Sequence, residues 1–202
     1  LSSTDWTERY LAHPDPWGIT PAATIVSQVA SAQEAGLEPG TAVDLGSGDG
    51  RHARWLAGLG WNVSAVDISA EVIDSARERD SDEGRPGHVE WIAADGLEWE
   101  PESPVDLVVV GFLQLPADTL GAILHRAAGW LAPGGHLVYL GHAAENMRRG
   151  VGGPQDPSTL PSIEELAAAA KGLRVLSLRH DIRPAGTAVA VDVILHAAAW
   201  AD

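Results

Sequence analysis

The chain has 202 residues, enough for one domain with a sizeable core, and no cysteine, which excludes disulfide frameworks, thiolate metal sites and cysteine nucleophiles. Its formal net charge is −15 with Lys171 as its single lysine, a balance that opposes a nucleic-acid partner, since such partners are held by clustered basic residues that displace counterions. No apolar run approaches the ~20 residues of a membrane helix and no secretion signal opens the chain, so a soluble cytoplasmic protein that acts on a small molecule is expected.

In chain order, Asp5 to Ala12 predicts a short helix capped by Thr4 or Asp5, with Trp6 and Tyr10 on one face, an N-terminal flap within residues 1–36. The prolines of His13-Pro14-Asp15-Pro16-Trp17 force an irregular link that puts Trp17 on a loop. A helix follows from about Pro21 to Ala35, stopped by Gly36. The pattern then alternates. Short apolar, β-branched runs at about 41–46, 62–67, 89–94, 105–111 and 136–141 predict strands buried on both faces, with helices at about 51–59, 70–79 and 117–131 between them. Strand and helix in alternation imply an α/β fold, a doubly wound parallel sheet covered on both sides. After a Gly/Pro-rich loop comes a helix opened by Ser162 and Glu165, the spacing of a capping box. Two last β-like runs, Arg174–Arg179 and Ala188–His196, are too close for a helical crossover and predict antiparallel neighbours joined by a loop that carries Arg183.

The chemistry concentrates in Asp44-Leu45-Gly46-Ser47-Gly48-Asp49-Gly50-Arg51, a strand end, a glycine loop and a helix start. In a doubly wound sheet ligands bind outside the carboxyl ends of the strands, so the rim consists of Asp44 to Gly50, Asp67-Ile68, Asp95-Gly96, Gly111-Phe112 and Gly141-His142. Asp67 ends the second strand, where a carboxylate can accept both hydroxyls of an adenosine ribose. A dinucleotide fingerprint requires its third glycine at position 51, yet Arg51 stands there and the glycine comes one residue early, at Gly50. Asp44 and Asp49 would also repel phosphates. A phosphate-free, cationic adenosine cofactor fits better, and S-adenosylmethionine (SAM) carries an ammonium, a sulfonium and a ribose diol.

The loop, with Asp67, Asp95 and the turn Leu131-Ala132-Pro133-Gly134-Gly135, resembles the class I SAM-dependent methyltransferases over roughly residues 40–142. Trp6, Arg9-Tyr10, Trp17-Gly18 and the run from Gly141-His142 to Pro157 are similar to the small bacterial TehB (tellurite-resistance) and thiopurine methyltransferase-like group. The resemblance implies a seven-stranded sheet of order 3-2-1-4-5-7-6 and S-adenosylhomocysteine (SAH) as product. It implies that Gly46, Ser47, Gly48 and Gly50 line the methionine end and that Asp44 helps bind the ammonium. Asp67 would then bind the ribose, Ile68 would pack on the adenine, Asp95 and Gly96 would meet its edge, and Phe112 would close over the cofactor.

Methyl transfer needs alignment and exclusion of water, and a base only where the acceptor is protonated. His142 is the candidate base, with a satisfied loop histidine as its rival reading. Trp17, Asn146, Arg149 and Arg183 are candidate substrate contacts by position, and an anionic acceptor would require Arg149 or Arg183 in the pocket. Asp95 could instead cap a turn. Asp192, inside an apolar strand, needs partners if buried. The loop 142–161 is a candidate lid. No metal is called for, and either a monomer or a homodimer is compatible with the sequence. The alternatives are an NAD(P)-dependent oxidoreductase, which Arg51 and the early third glycine oppose, and a SAM-binding regulatory module without turnover.

Overall fold

The computed structural model describes Thr7, Glu8, Tyr10 and residues 18–201. Most of the expected N-terminal helix, and Trp17, lie outside the described residues.

Helix α1 (Ala23–Glu34) precedes the alternating core of β1 (Thr41–Leu45), α2 (Arg51–Gly58), β2 (Asn62–Asp67), α3 (Ala70–Arg79), β3 (His88–Ala93), β4 (Val105–Gly111), α4 (Ala117–Gly129) and β5 (Leu131–His142). A short helix α5 (Asn146–Arg149), a 3-10 turn (Pro157–Thr159) and α6 (Ile163–Ala169) lead to β6 (Arg174–Ala185) and β7 (Ala188–Ala198). One seven-stranded sheet results, in the order β3-β2-β1-β4-β5-β7-β6, which is the order the resemblance implied. The first five strands are parallel, and β7 runs antiparallel to both β5 and β6.

The two-residue period of a strand sends alternate side chains to opposite faces, so the sheet carries two cores. Val43, Val108, Val110, Leu137 and Val193 pack with Leu120 and Leu124 of α4 and Leu166 of α6. On the other face Ala42, Leu107, Val109, Val138 and Ile194 pack with Ile25 and Val29 of α1, Leu56 of α2 and Ile73 of α3. Trp61 is fully buried in this second core. Ser162 caps α6 as expected, its hydroxyl accepting from the Glu165 N–H while Glu165 accepts from the Ser162 N–H.

The C-terminal hairpin differs from the sequence reading. Strand β6 continues through Ala185 and only residues 186 and 187 separate it from β7, so Arg183 sits on a strand opposite Ala190 rather than in a loop. Charged residues and Pro184 give 180–185 the look of a connection. They are tolerated because β6 is an edge strand, whose outer backbone groups need no partner strand.

Candidate active site

The glycine loop turns between β1 and α2 as its composition demands: Gly46, Gly48 and Gly50 all take positive φ, of 72°, 54° and 83°. Two of them also make room for side chains that cover the loop. A Cβ on Gly48 would stand 2.2 Å from the Tyr10 hydroxyl, and one on Gly50 would stand 2.1 Å from the Trp91 ring. Tyr10 therefore brings the N-terminal stretch over the loop, and Thr7 Oγ1 lies 2.6 Å from Ser69 Oγ to fix it beside the end of β2.

The acidic residues behind the loop are buried. Asp44 Oδ2 accepts from the Ala53 N–H at 3.0 Å, while Oδ1 is enclosed with no hydrogen-bond partner among the described residues. Burial pushes its carboxyl up to about 7, against the hydrogen bond from Ala53 and the nearby charge of Arg51. A buried carboxylate oxygen without a donor can take one from a ligand such as an ammonium. Ser47 Oγ is likewise enclosed without a partner. Asp67 ties the loop to β2, accepting from the Gly48 N–H at 2.9 Å and the Ser69 N–H at 3.0 Å. Burial raises its carboxyl as well. Each oxygen retains a lone pair for a ribose hydroxyl.

Beside Asp67, Ile68 exposes half of its apolar side chain at the rim. Asp95 caps its own turn, Oδ1 accepting from the Leu97 N–H at 2.9 Å, and one oxygen remains. The next N–H, of Gly96, donates to no described residue. The cradle of glycines, the undonated oxygen of Asp44 and the exposed Ile68 fit a cofactor with a cationic head, a diol and a flat base. The acidic walls do not fit a pyrophosphate.

The opposite wall is built by β4, β5 and the C-terminal hairpin. Phe112, just past β4, has a φ of 58° and is the only non-glycine with positive φ among the described residues, a conformation held by its N–H donating to Leu140 O at 2.7 Å. Its ring lies 5.3 Å from that of His142, and the guanidiniums of Arg51 and Arg183 lie 5.7 and 5.9 Å from its centre. The β5–β7 register sets His142 opposite Asp192, and His142 Nδ1 is 2.9 Å from Asp192 Oδ1. The two atoms are within contact distance without the alignment of a hydrogen bond. Arg183 Nε donates to Asp192 Oδ2 at 2.9 Å. Burial alone would raise the Asp192 carboxyl, but His142 and the Arg183 guanidinium outweigh it and hold it below the ordinary value, so it is a carboxylate at neutral pH.

Sequence reasoning located His142, Phe112 and Arg183 but did not join them, because it left the partners of Asp192 unnamed. The available signal was a carboxylate within an apolar strand pairing antiparallel with the strand that ends in His142. Asn146 is drawn away from any substrate role: buried, it accepts from the Val191 N–H at 2.7 Å and donates to Gly152 O at 2.9 Å, so it is a framework residue of the 142–161 loop. Arg149 is exposed and reaches 3.8 Å to Glu145 on its own turn. The loop lies against the site, since a Cβ on Gly153 would stand 2.8 Å from the His142 ring. It is zipped to β7 by Ala143 N–H to Val191 O at 3.0 Å and Val151 N–H to Val189 O at 2.9 Å.

Residues 42–135 match the methyltransferase domain family. Nodulation protein S of Sinorhizobium fredii is 26% identical over 147 residues, 70% of this chain and 67% of that protein. Across the curated relatives it matches, the chain spans from 31% to 67% of their length. Among solved structures, TehB from Haemophilus influenzae superposes with a TM-score of 0.66 at 18% identity, over 86% of this chain and 61% of that one. The N-methyltransferase NodS from Bradyrhizobium japonicum in complex with SAH gives 0.65 at 19% identity, over 96% and 98%. Residues 42–135, from β1 through the glycine loop to the LAPGG turn, thus carry the match to a methyltransferase domain, and the sheet around them has the fold of the SAH-bound N-methyltransferase.

Proposed function

We propose that the protein moves the methyl group of SAM to a small molecule whose nucleophile is protonated at neutral pH, with His142 as the base. The observation that carries this reading is the His142–Asp192 contact at the carboxyl end of β5, beside Phe112. With Nδ1 turned to Asp192, Nε2 is the nitrogen left to take a proton, and the carboxylate stabilises the imidazolium that forms. Bound SAM supplies an electrophilic methyl group on a sulfonium. Asp44 and the loop glycines hold the amino-acid end, Asp67 the ribose, Ile68, Asp95 and Gly96 the base, while Phe112 and the 142–161 segment exclude water. A chain of net charge −15 suits a small acceptor rather than a nucleic acid, and a single domain at work in the cytoplasm as monomer or homodimer.

The roles separate by mutation. Asp67→Ala should abolish SAM binding in calorimetry. His142→Ala should leave SAM affinity intact and lower turnover by roughly 10²- to 10⁴-fold, the range for a lost general base. Equal loss of SAM binding in both variants refutes the division.

A further inference from the structure

We propose that the acceptor carries a carboxylate, and that Arg183 is the residue that recognises it. The inference rests on the reading above and names the substrate class of the same site. Arg183 is fixed on β6, a paired strand, by its Nε–H bond to Asp192 Oδ2. Its Nη nitrogens donate to no described residue, and its side chain is 46% exposed, so the end of the guanidinium fork is presented to the outside of the site. Two parallel N–H donors in that plane match the two oxygens of a carboxylate.

The location matters as much as the group. Arg183 stands over Phe112, whose ring also touches His142, and Asp192 bridges Arg183 and His142 through its two oxygens. An anion on Arg183 therefore places the rest of the acceptor across Phe112, within reach of His142. Arg51 stands at the same ring and adds positive potential, its own charge compensated by Asp49 and Asp44. The Asp192 carboxylate already on the same guanidinium suits a single added negative charge and disfavours a phosphate dianion.

The test uses the full chain saturated with SAH. Binding of 4-hydroxybenzoate and 3-mercaptopropionate is compared by calorimetry with binding of their methyl esters and of phenyl phosphate. The acids are expected to bind at least about tenfold more tightly than the esters, and Arg183→Gln should abolish that preference while leaving SAH affinity unchanged; Arg183→Lys, which retains the charge but not the fork, should recover part of it. Esters that bind as well as the acids, tighter binding of phenyl phosphate, or an acid preference that survives Arg183→Gln each overturn the assignment and leave the methyltransferase reading standing. Failure of the chain to bind SAH overturns that reading and this inference together.

Discussion

Asp44 shows most clearly how a single residue trades stability for binding. Its carboxyl is raised to about 7 by burial, so the ligand-free protein binds a proton there that the unfolded chain has released. A raised value stabilises the fold at low pH, and that contribution is lost as the pH climbs from the ordinary value of 3.8 through about 7. Asp44→Asn keeps an acceptor for the Ala53 N–H and removes the charge. The variant should be more stable than the parent at pH 8 without ligand, by an amount on the order of 2 kcal/mol in denaturant titration, and should bind SAM at least about tenfold more weakly. A variant that is less stable yet binds SAM normally would contradict the role given to this carboxylate. Among the other site residues, Phe112 carries the backbone strain, and nothing in its sequence neighbourhood announces a positive φ; the strain arises because its N–H is drawn to Leu140 on the next strand.

At the level of elements, α6 and the C-terminal hairpin mark the two extremes of what local sequence can convey. The capping box of α6 is legible because both of its hydrogen bonds join residues three apart. α6 buries Leu166 against α4 and the sheet, so its start anchors one face of the core. Ser162→Ala should lower stability by about 1 kcal/mol in denaturant titration, without changing SAM affinity. No measurable loss would mean that tertiary packing alone holds the helix start. Strand β6 is the opposite case. Its residues 180–185 pair only with β7 and are mostly exposed, so neither alternation nor apolar content reveals a strand. The consequence is functional, because a strand holds Arg183 diagonal to Asp192 across the β6–β7 ladder, where a loop would leave it free.

For the whole molecule, the buried histidines set the acid limit of stability. His52 accepts from the Ala22 N–H, joining α2 to the start of α1, and burial lowers it to about 3. His196 lies 2.8 Å from His136 and 3.1 Å from Gln28 Oε1, joining β7 to β5 and α1, and burial lowers it to about 4. Burial lowers His136 as well. Each stays neutral in the fold and takes a proton on unfolding, so its stabilising contribution is complete above pH 6.5 and is lost as the pH falls toward the folded value. The raised Asp44 and Asp67 act in the opposite sense, while Asp80 and Asp192, held low against their burial by Arg85 and by His142 and Arg183, join the histidines as the pH approaches 4. Melting temperature should fall as the pH drops from 6.5 to 4, as these groups take up protons on unfolding. A flat or rising profile would show that these histidines are hydrated in the folded protein.

The sequence alone determined the glycine loop and the strand ends around it. Glycine spacing, the strand-end acids and the alternation of strands with helices are short-range patterns, and positive φ, capping and two-face burial translate them directly into structure. No described helix is long and apolar enough to cross a membrane, which also follows from local composition. The cluster around Phe112 was decided by the tertiary structure. His142, Phe112, Arg183 and Asp192 come from the ends of two parallel strands and from an antiparallel hairpin, and only the β5–β7 and β6–β7 registers bring them together. The two-residue turn at 186–187 fixes the β6–β7 register locally, but the β5–β7 register depends on which faces of distant strands are buried together, and no local pattern in the chain encodes that.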